Sequence, residues 1–233
     1  MKVMTFNTQH CVNYLKGCID YELMASVIRD SGADVVALNE MYSEREGGSY
    51  PDQTAILSEL TGLGYHYFAE AIVDNGKDPY GNGLISRIPI VKAETVLIPD
   101  PAVKKAGGYY ETRCVLKAEL EGGLRVLVTH FGLVDDEQKN AVCTVLENIK
   151  DEKCILMGDL NVEPSDPLLA PIRSRMRDTA ESFSSLRLSW PSDKPRKKID
   201  YIFISNDIEL ISADIPSIVA SDHRPYIAEI NLK

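Results

Sequence analysis

Short apolar runs separated by turn residues recur along the chain, and this pattern predicts β-strands. The predicted strands are Val3 to Phe6, Val35 to Leu38, Gly83 to Ser86, Arg113 to Leu120, Leu124 to Thr129, Cys154 to Met157, Ile199 to Ile204 and Tyr226 to Leu232. Three other segments have features of helices. They are a helix capped by Asp20 with the apolar stripe Leu23, Val27 and Ile28 and closed by Gly32, a helix over Asp52 to Leu60 that Pro51 opens, and a helix over Asp136 to Ile149.

The connections between the strands indicate how they pair. Gly122-Gly123 joins the run that ends at Leu120 to the run that starts at Leu124, and a turn of this length is typical of an antiparallel hairpin. Helices and strands alternate irregularly, which argues against a uniform βαβ winding. The sequence therefore predicts an α/β (α+β) fold or layered sandwich. Because it has no internal repeat and no Gly/Ser-rich or Pro-rich linker, we expect residues 1–233 to form a single domain.

Composition places the chain among ordinary soluble domains. Hydrophobic residues make up 44% and charged residues 26% of 233 residues, which excludes collagen-like and low-complexity classes. The formal net charge of −10 disfavours non-specific polyanion binding over the whole surface. The five cysteines are an odd number without C-x-x-C spacing, so we expect a reducing compartment, not a disulfide framework or a zinc site.

The location of the protein is predicted from its apolar runs. Polar residues interrupt the N-terminal apolar ones too early for a signal peptide, and no later run approaches the length of a membrane span. We therefore expect a cytoplasmic protein without stable membrane association. The sequence gives no indication of an obligate protein partner.

Polar side chains that can bind metal or phosphate end several of the predicted strands or interrupt them near the C-terminus. These residues are Asn7, Asn39, Glu40, His130, Asp159, Asn161, Asp200, Asp222 and His223. Taken singly, each has a structural explanation: His130 as a core histidine, for example, or Asp159 and Asn161 as an Asx turn. Together they supply oxygen ligands, an Asp/Asn pair that can orient water, and two imidazoles. Metal-assisted phosphate hydrolysis requires this set.

Seven short motifs extend this pattern over essentially the whole chain. They are FN at Phe6-Asn7, LNE at Leu38 to Glu40, GNGLISRIPI at Gly81 to Ile90, THF at Thr129 to Phe131, GDLN at Gly158 to Asn161, IDYIF at Ile199 to Phe203 and SDHRP at Ser221 to Pro225. With these motifs the chain resembles the endonuclease/exonuclease/phosphatase superfamily of deoxyribonuclease-like metal-dependent phosphohydrolases. GDLN and SDH in this order, about sixty residues apart, are the most specific part of the resemblance. It implies a four-layer sandwich in which two mainly antiparallel sheets pack face to face, with helices on the outside.

The resemblance also implies roles for the polar residues. Glu40 corresponds to the main metal-ligating glutamate, with Asn7 and Asp222 ligating or bracing the same cation, and all-oxygen ligation predicts Mg²⁺ or Mn²⁺. Asp159 would orient or deprotonate the attacking water, with Asn161 beside it. The remaining roles fall to His223 as catalytic histidine, Asp200 as the carboxylate that fixes its tautomer, and His130 as a second donor or leaving-group acid. Position 9, where the abasic-site branch has a second acidic residue, is Gln9, so a second metal is not predicted.

Three further residues are candidates for substrate binding. Arg113 resembles an arginine that many members place near the scissile phosphate, although a surface ion pair explains it equally well. Asn82 is expected to contact His130 or the phosphate, or to serve the turn chemistry of its glycine neighbours. Trp190 lies in the segment from Arg173 to Lys198, which has eight basic residues against three acidic ones. We expect this segment to rim the cleft and steer an anion into it, or else to be a solvated loop.

The function predicted from these residues is divalent-metal-dependent hydrolysis of a phosphoester bond, of the phosphodiesterase or phosphatase type, with in-line attack by water. The substrate is expected to be a phosphorylated small molecule or a nucleic acid. A DNA or RNA nuclease of the same superfamily is one alternative. A non-catalytic binding module is a second, but such a module is expected to have lost one of the site residues, and none is missing.

Overall fold

The computed structural model describes residues 1–232, which form fourteen strands and four α-helices. The strands are β1 Lys2–Asn7, β2 Val12–Asn13, β3 Cys18–Ile19, β4 Val35–Tyr42, β5 Tyr65–Asp74, β6 Asp78–Ser86, β7 Ile90–Leu97, β8 Cys114–Leu120, β9 Arg125–His130, β10 Cys154–Asp159, β11 Arg177–Asp178, β12 Asp200–Ile204, β13 Glu209–Asp214 and β14 Tyr226–Asn231. The helices are α1 Tyr21–Ser31, α2 Gln53–Thr61, α3 Asp135–Asn148 and α4 Ala170–Arg173.

Two six-stranded sheets form the centre of the fold. The first sheet has the order β13-β14-β1-β4-β6-β5 and the second has the order β11-β12-β10-β9-β8-β7. Most neighbours are antiparallel, but β1 pairs with β4 and β10 with β9 in parallel. The carboxyl ends of each parallel pair therefore meet at one edge of their sheet.

Three apolar clusters define four layers. The largest lies between the sheets, where residues of the first sheet such as Val35 and Leu84 join residues of the second such as Leu116 and Met157. A second cluster packs α1 and α2 on the outer face of the first sheet. The third packs α3 and α4 on the outer face of the second. The predicted fold, a four-layer sandwich with helices on the outside, is confirmed.

The structure agrees with the three helix predictions. Asp20 and Asp52 accept hydrogen bonds from backbone N–H groups in the first turns of α1 and α2. Both helices end at glycines, Gly32 and Gly62, in the left-handed conformation that closes helices. The third helix begins one residue earlier and ends one residue earlier than predicted.

The strands that the sequence did not predict include β5, β7 and β13. Each is an edge strand of its sheet, with much of its length partly exposed to solvent. An edge strand contacts one neighbour and buries fewer side chains, so its apolar pattern is weak.

Candidate active site

The parallel strand pairs of the two sheets bring their polar ends together. Asn7 ends β1 and lies opposite Asn39 of β4, while Asp159 ends β10 and lies opposite His130 of β9. Hydrogen bonds connect the two sheets at this point. The side chain of Asn7 donates to Asp159 Oδ2 at 3.2 Å, and Asn39 Oδ1 accepts from the Asp159 backbone N–H at 3.0 Å. The sandwich therefore joins Asn7 and Asp159, which are 152 residues apart in sequence.

Local backbone geometry fixes the direction of two of these side chains. Glu40 has φ of 59° and lies in an irregularity of the β4–β6 pairing between Leu38 and Met41. Gly158, directly before Asp159, has φ of 145°, and a Cβ at that position would lie 1.8 Å from the Thr129 carbonyl oxygen. The backbones of β9 and β10 thus approach so closely that only glycine fits before Asp159.

Asp159 lies at the centre of the site and is 1% exposed. Its Oδ1 accepts from the Asn161 backbone N–H at 2.9 Å, and its Oδ2 lies 3.5 Å from both His130 Nε2 and His223 Nε2. Burial raises the pKa of Asp159 to about 7, although the neighbouring His223 opposes this rise. A carboxylate with a pKa near neutrality can accept a proton from a bound water at physiological pH.

His223 is buried between carboxylates. Its Nδ1 lies 2.9 Å from Asp200 Oδ2, and its Nε2 lies 4.0 Å from Asp222 Oδ2. Burial disfavours the charged ring, but Asp200 and Asp159 outweigh it and raise the pKa of His223 to about 10. The ring is therefore an imidazolium at neutral pH, and Asp200 orients it.

His130 has the opposite charge state. Burial, with the nearby charges of Arg113 and His223, lowers its pKa well below the usual range. Arg113 Nη1 lies 2.9 Å from His130 Nδ1, and Asn161 Nδ2 lies 3.1 Å from Nε2 and donates to the Phe131 carbonyl at 3.0 Å. N–H donors therefore flank both nitrogens of the neutral ring. A neutral ring is a poor acid for a leaving group.

The donor atoms around Glu40 fit a divalent cation. Glu40 Oε1 and Asp159 Oδ2 both accept from Asn7 Nδ2, at 3.0 Å and 3.2 Å, so two carboxylates converge on one amide group. Asp222 adds a third carboxylate to the same cleft. Hard oxygen donors of this kind suit Mg²⁺ or Mn²⁺.

A second group of potential ligands has a different explanation. Asp159, Asp200 and His223 offer ligand atoms within 4.8 Å of one another. Both ring nitrogens of His223 face carboxylates, with Nδ1 2.9 Å from Asp200 Oδ2 and Nε2 3.5 Å from Asp159 Oδ2. We therefore assign this group to ion pairing.

The site opens into a cleft of about 650 Å³. Its lining includes the predicted residues Glu40, Arg113, His130, Asp159, Asn161, Trp190, Asp222 and His223, and Lys197 of the basic segment. Several lining residues were not predicted, namely His10, Tyr42, Ile72, Asp74, Tyr80, Tyr109, Glu111, Leu133 and Ile199. Hereafter, the cleft floor means Asn7, Glu40, His130, Asp159 and His223, and the tyrosine wall means Tyr42, Asp74, Tyr80, Tyr109 and Glu111.

His10 connects the cleft floor to the tyrosine wall. Its ring lies 4.9 Å from the Tyr42 ring and 5.4 Å from the Tyr80 ring, and its Nε2 lies 3.6 Å from Glu40 Oε2. Its neighbour Cys11 is fully buried in the core. Gln9, His10 and Cys11 all have positive φ, and this unusual backbone directs the imidazole into the cleft.

Two of the predicted substrate-binding residues meet the cleft and one does not. Arg113 is buried, with Nη1 2.8 Å from Glu111 Oε1. Trp190 is half-buried, and its Nε1 lies 3.4 Å from Asp222 Oδ2. Asn82 lies behind the cleft floor, where its side chain accepts from Asn39 at 2.8 Å and donates to the Cys114 carbonyl at 3.1 Å. In this position Asn82 braces β4, β6 and β8.

Most of the basic segment around Trp190 faces elsewhere. Arg173, Arg175 and Arg187 form ion pairs with Asp178, Asp151 and Asp214 respectively. Lys198 is buried over the Tyr201 ring, whereas Lys197 lines the cleft. The expectation that the whole segment rims the cleft therefore holds for Trp190 and Lys197 and not for the residues that face elsewhere.

The predictions about the cysteines and about membrane spans can also be compared with the structure. All five cysteines are free thiols. Within residues 1–232, no helix is long and apolar enough to cross a membrane.

Comparison with solved structures identifies similar folds across essentially the whole chain. An endonuclease/exonuclease/phosphatase from Beutenbergia cavernae DSM 12333 is 25% identical with a TM-score of 0.80, covering 100% of this chain and 71% of that one. A mannosyl-6-phosphatase from Bacteroides thetaiotaomicron VPI-5482 is 16% identical with a TM-score of 0.78, covering 100% of both chains. TDP2 from D. rerio, complexed with single strand DNA product, is 17% identical with a TM-score of 0.70, covering 99% of this chain and 98% of that one.

The comparison at the level of sequence gives the family. A search of curated proteins finds no match. The model of the Endonuclease/Exonuclease/phosphatase family matches residues 4–120 and 126–223, which include every residue of the cleft floor. The chain therefore belongs to the endonuclease/exonuclease/phosphatase family, whose members hydrolyse phosphoester bonds.

Proposed function

We propose that this protein is a divalent-metal-dependent hydrolase of phosphoester bonds, of the phosphodiesterase or phosphatase type. One observation carries the proposal: Oδ2 of buried Asp159 lies 3.5 Å from His223 Nε2, and Asp200 Oδ2 lies 2.9 Å from Nδ1 of the same ring. A base beside a fixed positive charge suits a reaction in which water loses a proton while negative charge builds up on phosphoryl oxygens. Asp200 is a positioning residue, because it acts through the His223 ring.

The proposed reaction is one in-line displacement. The water oxygen forms a bond to phosphorus while one of its protons passes to Asp159. The bond between phosphorus and the ester oxygen breaks, and the leaving oxygen departs opposite the water and takes a proton from solvent. His223 and Arg113 face the phosphoryl oxygens with positive charge, and the neutral His130 ring supplies a further hydrogen bond. This arrangement favours the donor role of His130 over the role of leaving-group acid.

Glu40, Asn7 and Asp222 are the residues that we assign to the cation, Mg²⁺ or Mn²⁺. When bound, a divalent cation supplies Lewis-acid stabilisation of phosphoryl charge. Support for the assignment comes from the convergence of two carboxylates on Asn7. The cytoplasmic location and the single domain over residues 1–233 also remain proposals, supported by the free thiols and by the family match over most of the chain.

The test is hydrolysis of p-nitrophenyl phosphate and bis-(p-nitrophenyl) phosphate with Mg²⁺, Mn²⁺ or chelator, for the native protein and Asp159→Asn. We expect metal-dependent turnover that the substitution lowers by about 10²-fold to 10⁴-fold, the usual contribution of a general base. The matched control is Asp151→Asn, because Asp151 has 86% of its side chain exposed and pairs with Arg175. Turnover that resists the chelator, or an Asp159→Asn variant as active as the control, would refute the proposal.

A nuclease is the second candidate, and Trp190 is the observation that favours it. A half-buried indole at the edge of a phosphate-binding cleft can stack on an unpaired base. A nuclease of this kind is expected to cut single-stranded DNA or RNA, with activity that falls steeply as salt is added. Cleavage of oligonucleotides much faster than of small phosphoesters would favour this candidate.

A further inference from the structure

The tyrosine wall presents hydrogen-bond acceptors to the cleft. Tyr42 donates its hydroxyl proton to Asp74 Oδ2 at 2.7 Å, and Tyr109 donates its proton to Glu111 Oε2 at 3.0 Å. Each phenol oxygen therefore keeps lone pairs that can accept a hydrogen bond from a ligand in the cleft. Within residues 1–232, no group donates a hydrogen bond to Asp74 Oδ1, so this oxygen is a further acceptor. Such a surface complements a ligand that is rich in O–H or N–H donors.

These residues act as one surface. The Tyr42 and Tyr80 rings lie 5.3 Å apart at an angle of 51°. Asp74 at the end of β5 and Tyr109 in the segment before β8 line the same cleft. Ring faces of tyrosine contribute apolar contact area next to the acceptors. A flat ligand with C–H faces and hydroxyl edges matches this combination.

The carboxylate charge on the tyrosine wall further limits which class of ligand can bind. Glu111 is paired with Arg113 at 2.8 Å, whereas Asp74 places on the tyrosine wall a carboxylate that forms no ion pair within residues 1–232. A polynucleotide would carry additional phosphates past Asp74, and like charges at short range are repulsive. A neutral organic group attached to a single phosphate avoids this repulsion. A quaternary ammonium would satisfy the charge but has no N–H to donate to the acceptors.

We propose that the tyrosine wall binds the organic part of a sugar or polyol phosphate ester, whose hydroxyls donate to Asp74 and to the phenol oxygens. This inference rests on the proposed hydrolase function, since the phosphate lies on the cleft floor. It predicts selectivity by the alcohol part of the ester, because the wall contacts that part and the floor contacts the phosphoryl group.

The experiment compares Asp74→Asn with the native protein on two kinds of ester. Asn retains an acceptor for the Tyr42 hydroxyl but removes the charge, so the wall keeps its shape. We expect kcat/KM for a hexose phosphate, or for its p-nitrophenyl diester if diesters are preferred, to fall by about tenfold or more, the loss typical of a hydrogen bond to a charged group. The loss for p-nitrophenyl phosphate or bis-(p-nitrophenyl) phosphate should be much smaller, since those esters have no hydroxyls to donate to Asp74, so the ratio of the two kcat/KM values falls.

A matched control lies on the same strand. Glu70 pairs with Arg45 at 2.9 Å on β5, is not among the cleft-lining residues, and Glu70→Gln should leave both activities unchanged. Equal losses on hexose and aryl esters, or no loss on either, would overturn the inference. A native preference for phosphocholine or for dinucleotides over hexose phosphates would also overturn it.

Failure of the proposed function gives a different result. In that case the native protein hydrolyses no phosphoester, and the tyrosine wall is tested by calorimetric titration with a hexose phosphate. If Asp74→Asn weakens this binding about tenfold, the tyrosine wall is supported as a binding surface even without catalysis. Binding that is absent, or equal in both proteins, would reject it.

Discussion

Four residues of the cleft floor lie on central strands of the two sheets and His223 lies in the segment before β14, whereas the tyrosine wall is carried by the ends of β4 and β5, by β6 and by the segment before β8. Asp159 and His223 are 1% and 4% exposed, while Tyr109 of the wall is 62% exposed. Each ionisable group of the floor has partners on both sheets or on adjacent strands. The floor therefore fixes charge states and geometry, which chemistry on the phosphoryl group requires.

Substitutions in the tyrosine wall are expected to disturb the fold less than substitutions in the cleft floor. Its hydrogen bonds are pairwise, between one tyrosine and one carboxylate, and no backbone ladder depends on them. A change in the wall is expected to alter which ester binds, but a change in the floor is expected to alter folding and the reaction itself. This division places reaction type and substrate choice in separate parts of one cleft.

The largest expected effect comes from Gly158→Ala, which disturbs the backbone next to Asp159 in the cleft floor. The new Cβ would lie 1.8 Å from the Thr129 carbonyl oxygen, so β9 and β10 must separate. We expect the free energy of unfolding to fall by more than about 3 kcal/mol, at the severe end for a single substitution. Chemical denaturation of the purified variant measures this loss.

The control for that change is Gly122→Ala. Gly122 also has positive φ, 89°, but a Cβ there meets no atom within 4 Å. Its cost should be about 1–2 kcal/mol, from backbone conformation alone. Equal costs at the two positions would show that the close approach of β9 and β10 does not constrain the floor.

A smaller effect is expected from the charge of His223, measured as stability against pH. The pKa of His223 is raised to about 10 from the usual 6.5 of histidine, because Asp200 and Asp159 outweigh the opposing effect of burial. The folded state therefore holds a proton that the unfolded state releases between these values. Its contribution is fully present below pH 6.5 and is lost as pH rises through about 10.

We therefore expect the stability advantage of the native protein over His223→Gln to shrink from pH 6 to pH 10. Each unit of pKa difference corresponds to about 1.4 kcal/mol, so chemical denaturation at several pH values resolves the slope. Asp159 titrates in the same range, and its pKa rises further in the variant because the charge of His223 is lost, so the slope measures the coupled His223–Asp159 pair. A stability difference that is constant with pH would mean that His223 is not held as an imidazolium.

The sequence predicted the floor better than the wall, and the reason is physical. Asp159 and His130 end strands that are otherwise apolar, so their polarity stands out against the pattern. Asp74 and Tyr109 belong to an edge strand and an exposed segment, where such residues are ordinary surface residues. They become a binding surface only when folding brings residues 42, 74, 80, 109 and 111 to one cleft.

The same contrast holds for the fold. Central strands such as β1 and β10 were predicted because both of their faces are buried, whereas the edge strands β5, β7 and β13 lacked that signal. Asn82 shows the limit for single residues. Its polarity within an apolar segment was visible, but its role as a brace for three strands depends on contacts with Asn39 and Cys114 that only the folded chain defines.

The smallest of these effects is expected at His10, which joins the floor to the wall. We expect His10→Asn to lower kcat/KM for aryl phosphates by about tenfold or less and to change stability by about 1 kcal/mol or less, because Asn tolerates the left-handed backbone there. Loss of the ring removes the contacts with Glu40 and with the Tyr42 and Tyr80 rings. Steady-state kinetics and thermal denaturation measure the two quantities.

Gln9→Asn is the matched control for this substitution. Gln9 has φ of 48° in the same run but is not among the residues that line the cleft, so its variant should keep native kinetics. A His10→Asn variant that loses about 10²-fold or more in rate would place His10 with the groups that act on the phosphoryl oxygens. An effect equal to that of Gln9→Asn would remove His10 from the site, and the floor and the tyrosine wall would then be independent units.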